Sequence, residues 1–582
     1  MSFSADPLAP PRRPVLRITR AGGEEQVIVC PGPALGRAQW MGLIPDDATQ
    51  ILLAAAPSAR LDRVERCSEA SVLLACAWRK PGNFLAALWA QAKGQPRRYR
   101  DIVRGGVAVT RRQYFAAWAA TRRVPFEGPV PNLAIRCIVL AHGAAPKALE
   151  RTLATVRAQT LAAETVGLTD LSVGSPSDLL SDAAALCILN AGDALEPDAF
   201  ALLAANLGNA DLAYADELGA DGAPRLKPDW SPDLAMGTGY VGRVALVSRA
   251  LIERLPDEPL GPVARAADTL GRVVAKACRR AVHCPRPLAT VVASPSGAFR
   301  EVAWPLPDPA PVASVIIPSR DRLDLISTVS RGVLEATDYP AIELIVVDNG
   351  STDPAVLAFY EELKRDSRVR IVSFPQPFNF SAMVNAGVAA ASGQVVVLLN
   401  NDIGVRGPGW LGAMVRHAIR PEVGAVGAKL LFGNGTLQHA GVVVGLAGRA
   451  GHILRRRPAD TPGHLGRLRV THEVSAVTAA CLAVSRDKYL AVSGFDAETF
   501  PIDFNDVDFC LRLGAKGWRT IWTPEAELFH FESVSRGPSV GAKRERFERE
   551  AALFTARWLD VIRHDPFYHP ALSLTTFGED LE

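Results

Sequence analysis

The 582-residue sequence is defined first by what it lacks. No two of its nine cysteines form a C-x-x-C pair, so a zinc or dithiol motif has no footing. The scattered set (Cys30, Cys67, Cys76, Cys137, Cys187, Cys278, Cys284, Cys481 and Cys510) reads as reduced thiols of a cytoplasmic protein. No apolar run approaches the roughly 20 residues that span a bilayer. The N-terminus M-S-F-S-A-D-P-L-A-P-P-R-R has arginines but no apolar stretch behind them, which disfavours secretion and a transmembrane anchor. Nor is there an excess of one charge: 64 basic and 61 acidic side chains leave +3, which argues against a dedicated nucleic-acid binder.

What is present is apolar. Hydrophobic residues make up 48% of the chain, enough to bury several cores at this length. Four segments are expected. Residues 1–98 alternate short apolar runs (Val15 to Ile18, Gln26 to Val29) with turn signals at Gly22-Gly23 and Pro31-Gly32-Pro33, the pattern of a small β-rich module. Residues 99–131 are basic and helix-permissive from Tyr99 to Arg123 and close on Pro125, Pro129 and Pro131, a helical linker. The Pro-rich run from Trp304 to Pro311 can continue neither a helix nor a central strand, so it separates residues 132–305 from residues 306–582.

After that boundary, β-branched runs alternate with helical patterns. Strands are expected at Ser314–Ile317, Ile342–Val347, Val369–Val372 and Val395–Leu399, with Leu325, Ile326, Val329 and Val333 at helical spacing between the first two. Such alternation implies an α/β fold with a parallel sheet, whose ligands gather at the carboxyl ends of the strands. Those ends carry the polar residues: Pro318-Ser319-Arg320-Asp321, Asp348-Asn349-Gly350-Ser351-Thr352-Asp353 and Asn400-Asn401-Asp402. Each alone could be an ordinary turn or cap; three converging ends suggest a site.

These residues resemble the family 2 glycosyltransferases of GT-A fold, most closely their bacterial rhamnosyltransferase-like members. The likeness rests on V-I-I-P-S-R (315–320), V-V-D-N-G-S-T-D (346–353), P-F-N-F-S-A (377–382), L-L-N-N-D (398–402), Q-H-A-G (438–441), T-A-A-C (478–481) and F-N-D-V-D-F-C-L-R (504–512). It implies a Rossmann-like nucleotide-diphospho-sugar transferase domain. Asp348 and Asn349 would then meet the base and ribose of a nucleotide, Pro318, Ser319 and Arg320 would floor its pocket, and Asn401 would join them. Asn385 would lie on a helix beneath the nucleotide, although it reads equally as a solvent-facing residue. Asp402 falls at the metal-binding D-x-D position, with amides replacing the other carboxylate. A hard divalent ion, Mg or Mn, would bridge it to the donor diphosphate. His530, in L-F-H-F-E-S-V-S-R-G, is either a further metal ligand or a satisfied structural histidine.

Asn505-Asp506-Val507-Asp508 opens a helix with apolar positions at 507, 510 and 511. Plain capping by Asn505 would explain it. By resemblance this is the E-D position of the catalytic base, with Asn505 for the Glu, Asp506 as base and Asp508 as understudy. Burial would be needed to keep a base at a helix N-terminus sufficiently basic. Thr478 to Cys481 either leave room for a sugar or form core strand. Arg455-Arg456-Arg457 would order over an anion or simply be solvated.

Residues 132–305 read as a degenerate copy of the same GT-A-like domain. Ile135 to Leu140 and Ala185 to Asn190 match its first and fourth strands, followed by K-P-D-W-S-P-D-L (227–234). Only 50 residues separate Leu140 from Asn190, against 82 from Pro318 to Asn400, so the nucleotide loop is expected to be lost. Gly192 stands where Asp402 would, and no N-D-V-D follows.

The function implied is an inverting, non-processive, metal-dependent glycosyltransferase. Its partners would be a nucleotide-sugar donor and a glycan or lipid-linked glycan acceptor of bacterial surface polysaccharide synthesis. Absence of a Q-x-x-R-W motif and of membrane helices points to the non-processive form, placed in the cytoplasm with the option of peripheral association at the inner membrane face. Two alternatives are a nucleotidyltransferase on the same fold and a non-catalytic glycan-binding scaffold.

Overall fold

The structure is a computed structural model, which describes residues 1–6, 12–54, 59–122, 125–241, 243–292, 302–531, 542–576 and 578–582. Arg123, residues 293–300 at the end of the degenerate copy and residues 532–537 after His530 lie outside the described residues. The chain divides into two units. The first comprises residues 1–300, 445–448 and 560–582, the second residues 301–444 and 449–559. No helix among the described residues is long and apolar enough to cross a membrane.

The first unit opens with two three-stranded sheets. One pairs Ser2–Ala5 with Arg37–Gln39 and Ala59–Arg63, the other Val15–Arg20 with Glu25–Val29 and Ala48–Ala54. Strand structure ends at Arg63, short of the boundary drawn at residue 98. Three helices follow: α1 (Glu69–Arg79), α2 (Pro81–Ala92) and α3 (Pro96–Ala108). Val72 and Cys76, Ala87 and Ala90, and Tyr99, Val103 and Val107 close them into a small core. The helix signal before residue 99 was legible in Ser68, which caps α1 by accepting the Ser71 N–H, and in Pro81 at the start of α2.

The degenerate copy is a complete sheet. Its strand order is Ala163–Leu168, Ile135–Leu140, Ala185–Asn190, Ala245–Ser248, Leu212–Gly219, Ala281–Val291, Ala194–Leu195. The second unit repeats this order as Ile342–Asp348, Ala313–Ser319, Val395–Leu399, Cys481–Ser485, Val423–Leu431, Arg519–His530, Ile403–Val405, with Val369–Ser373 added at the first edge. Parallel and antiparallel pairings match one for one. The shorter spacing can now be placed along the chain. The counterpart of the Ile342–Asp348 strand survives as Ala163–Leu168, whereas the helix Pro354–Leu363 and the strand Val369–Ser373 after it have no counterpart between Leu168 and Asn190. Gly192 has φ +105°, and a Cβ there would lie 2.8 Å from Val292 Cγ1, so no aspartate fits without strain. Asp193 beside it is buried and ion-paired to Arg243 at 3.0 Å.

Segment 560–582 belongs with the first unit rather than with the segment before it. Arg13 holds Glu582 at 2.7 Å, both side chains buried. A chain of acids and histidines adds to this. His569 Nε2 and His283 Nε2 meet the two oxygens of Asp216 at 2.8 and 3.0 Å, His283 Nδ1 meets Asp229 at 3.2 Å, and His564 meets Asp229 at 2.7 Å. Asp216, His283 and His569 form the one group of three or more such side chains close enough to hold an ion among the described residues. However, His569 Nδ1 accepts the Ala571 N–H at 3.0 Å. Its Nε2 therefore carries the proton and donates to Asp216, which is the tautomer of a hydrogen-bonded histidine rather than a metal ligand.

In the second unit the expected elements form. Ala313–Ser319 is buried at every position, as a parallel strand covered on both faces must be. The helix Leu323–Glu335 buries Ile326, Val329, Ser330 and Val333.

Candidate active site

The strand ends meet. Asn349 N–H donates to the Ser319 carbonyl at 2.9 Å, and Asn401 Nδ2 donates to Ser319 Oγ at 3.3 Å, joining three of the sheet's carboxyl ends. Asp348 accepts the Ser351 N–H at 3.2 Å and the Ser351 hydroxyl, so its carboxylate is held at the rim of the strand. Asn349 is buried, with Nδ2 committed to the carbonyls of Phe374 and Gln376 at 2.9 and 2.8 Å; it shapes the floor of the loop. Pro318 and Ser319 are buried within the strand, whereas Arg320 is exposed. Asp321, at φ +47°, accepts the N–H groups of Thr352 and Asp353 and staples the first strand end to the second.

Asp402 and His530 face each other across the sheet, with His530 Nε2 3.1 Å from Asp402 Oδ1. Ile403 pairs with His530, so neighbouring antiparallel strands bring them together. Gln438 fixes the ring: its Oε1 lies 2.7 Å from His530 Nδ1, and its Nε2 donates to the His530 carbonyl at 3.2 Å. An amide oxygen on Nδ1 places a proton there and leaves Nε2, the nitrogen a metal would use, facing the carboxylate. One carboxylate oxygen and one imidazole nitrogen, the ring held in place by Gln438, fit a divalent ion. Sequence reasoning did not give Gln438 this role, although the Q-H-A-G motif marked its position.

Asp506 lies in the first turn of the helix Asn505–Ala515. Its carboxylate accepts the Ala479 N–H at 3.0 Å and the Val507 N–H at 2.8 Å. Burial pushes its pKa above the usual carboxylate range, and those N–H bonds only partly oppose it. Ala479 thus contributes backbone rather than merely space, and Cys481 begins a core strand. The cap is not Asn505 but Phe504, at φ +61° and stacked on Phe554. Asn505 Nδ2 reaches Ser381 Oγ at 3.0 Å, tying this helix to the one beginning at Phe380.

Two further expected residues are tied into the protein. Asp508 is fully buried and accepts from Arg512 Nε at 2.7 Å, Arg557 Nη1 at 2.9 Å and Trp558 Nε1 at 2.9 Å, which anchors the helix. Asn385 is half-buried, and its side chain is engaged by the protein. Its Oδ1 accepts the Phe495 N–H at 2.9 Å and the Tyr489 hydroxyl, while its Nδ2 donates to the Phe495 carbonyl at 2.9 Å. Arg455, Arg456 and Arg457 are exposed, yet their loop is pinned by backbone bonds from Leu437 to Arg457 and from Arg456 to Leu437. Beside them His439 and His452 pair through Nδ1 atoms at 2.8 Å, and burial drives His452 down to about 4, so the pair is neutral.

Comparison with known proteins gives the following. Residues 314–471 match the family model for glycosyl transferase family 2. A Sinorhizobium fredii protein, y4gI, itself uncharacterized, is 36% identical over 440 residues, covering 67% of this chain and 48% of its own length. The O-antigen biosynthesis protein RfbC of Myxococcus xanthus is 36% identical over 462 residues, covering 70% of this chain and 36% of its own. An N-acetylglucosaminyl-diphospho-decaprenol L-rhamnosyltransferase of Mycobacterium tuberculosis is 26% identical over 262 residues, 42% of this chain and 82% of that protein. The chain therefore spans half or less of the length of the first two relatives. Among solved structures, a Pyrobaculum calidifontis mannosyltransferase with GDP-Man and Mn2+ aligns at TM-score 0.32 and 19% identity, covering 43% of this chain and 64% of that one.

Proposed function

Because this chain contains a family 2 glycosyltransferase domain of GT-A fold, we propose that it moves a sugar from a nucleotide-diphosphate donor to a hydroxyl of a lipid-linked surface glycan, with inversion. The carrying observation is Asp506, a half-buried carboxylate with raised basicity held by two backbone N–H groups. It takes the proton of the acceptor hydroxyl as that oxygen attacks the anomeric carbon. One displacement opposite the leaving diphosphate inverts the centre. Ser319, Asp348, Asn349 and Asn401 form the nucleotide end of the site. Asp402 and His530 would hold a Mg or Mn ion, which when bound supplies positive charge against the leaving diphosphate. The names of the relatives favour a deoxyhexose such as rhamnose as the sugar and an O-antigen-type acceptor.

The test is a panel of nucleotide sugars with lipid-linked and free glycan acceptors, read by release of nucleoside diphosphate and by the anomeric configuration of the product. Retained configuration removes the single-displacement role of Asp506. Pyrophosphate release instead makes the domain a nucleotidyltransferase, and glycan binding without turnover makes it a scaffold.

A further inference from the structure

The three-helix segment of the first unit leaves large apolar side chains outside its core. On α1, Leu74 and Trp78 stand at i, i+4 and are exposed, Trp78 at 85%. On α2, Leu85, Leu88 and Trp89 stand at i, i+3, i+4 and are likewise exposed, Trp89 at 56%. The inward faces of both helices are occupied by other residues, Val72 and Cys76 on one and Ala87 and Ala90 on the other. These five side chains therefore form a second, outward set that the bundle does not use, and two exposed tryptophans on adjoining helices ask for a partner.

The charge says what kind. From Arg66 to Arg122 eleven Lys and Arg face two Asp and Glu, a surplus of +9 in a chain whose total is +3. Arg66, Lys93 and Arg98 are exposed, and Lys93 Nζ sits 3.6 Å from the centroid of the Trp89 ring. Indole rings and leucines beside flexible basic side chains suit a lipid–water interface, where the rings sit at headgroup depth and the cations meet anionic lipid. A second copy of this chain would oppose one basic segment to another, which electrostatics disfavours.

We propose that α1 and α2 form an interfacial anchor that binds an anionic lipid surface through Leu74, Trp78, Leu85, Leu88 and Trp89, with Lys93 and Arg98 supplying electrostatic attraction. This deepens the reading of a lipid-linked acceptor, but its readout is lipid binding, which stands or fails apart from sugar transfer.

The experiment is co-sedimentation of the full chain with vesicles of phosphatidylcholine alone and of equal parts phosphatidylcholine and phosphatidylglycerol. Wild type should bind the anionic vesicles at least about tenfold better than the neutral ones, and less at high salt. Trp78→Ser/Trp89→Ser, both exposed and so expected to fold, should lose about tenfold or more of that binding. Lys93→Glu/Arg98→Glu should lose the preference for anionic lipid. Absence of vesicle binding at low salt overturns the proposal. So does equal binding by the tryptophan variant, which would leave only non-specific charge attraction. Concentration-dependent self-association of the wild type that the tryptophan variant loses would assign the surface to a second copy instead.

Discussion

His530 Nδ1 and Gln438 Oε1 lie 2.7 Å apart, and this contact decides what His530 can do. With its proton held on Nδ1, the ring presents Nε2 to Asp402 at 3.1 Å. Asp402→Ala is expected to weaken nucleoside-diphosphate binding in Mn much more than without it. Gln438→Leu should cost about 10- to 100-fold in Mn affinity while leaving metal-free nucleotide binding intact. Calorimetry with and without Mn measures both; equal affinities across all three proteins would remove the metal from this position.

Asp506 and Asp508 should separate cleanly. Asp506→Asn keeps size and lowers turnover by about 10²–10⁴ with donor binding nearly unchanged. In the wild type, activity should fall on the acid side at a pH above the ordinary aspartate range, because burial raises the Asp506 pKa. Asp508→Ala instead removes the acceptor shared by Arg512, Arg557 and Trp558, although Arg557 keeps Asp496 and Arg512 keeps the carbonyls of Val492 and Gly494; it should cost about 1–3 kcal/mol of stability, seen as a lower Tm. A stable, catalytically dead Asp508→Asn would exchange the two roles.

That distinction shows where the sequence was readable. The strands, their polar ends and the repeated sheet follow from periodicity and turn chemistry, which are local. Asp508 is only partly local: it sits on the same helical turn as Asp506 and pairs with Arg512 one turn on, but its other partners, Arg557 and Trp558, lie about fifty positions away. The partners of Asn385, Tyr489 and Phe495, are distant in the same way. The placement of residues 560–582 was equally hidden, since Asp216 and His569 give no pairwise signal in one sequence.

Asn385→Ala tests the reassignment directly. Loss of its bonds to the Phe495 backbone leaves buried polar groups unpaired, at a cost of about 1–3 kcal/mol. Melting temperature should fall while nucleotide affinity holds. Loss of affinity at unchanged stability would return Asn385 to the nucleotide site.

The acid and histidine chain around Asp216 makes the attachment of segment 560–582 depend on pH from both sides. Burial pushes His283 down, but Asp216 and Asp229 outweigh it and raise its pKa from 6.5 to about 9. A raised folded value contributes stability in full below 6.5 and loses it as pH rises through about 9. For His569 burial wins, and its pKa lies below the ordinary value, so its contribution is present above that value and lost as pH falls. Burial raises Asp216 and Asp229, yet their histidine partners hold both below the usual carboxylate range, so they fail only in stronger acid. Protection of the Ala571 amide, which His569 Nδ1 accepts, should therefore peak near 6.5, falling below it as the His569 contribution is lost and falling from 6.5 to about 9 as that of His283 is lost. Hydrogen exchange across that range measures it, corrected for intrinsic rates. His283→Gln should abolish the alkaline decline, because an amide at that position has no proton to lose. An alkaline decline that persists in His283→Gln, or protection that is flat with pH in the wild type, would mean that the segment is held by Arg13–Glu582 and its apolar contacts alone.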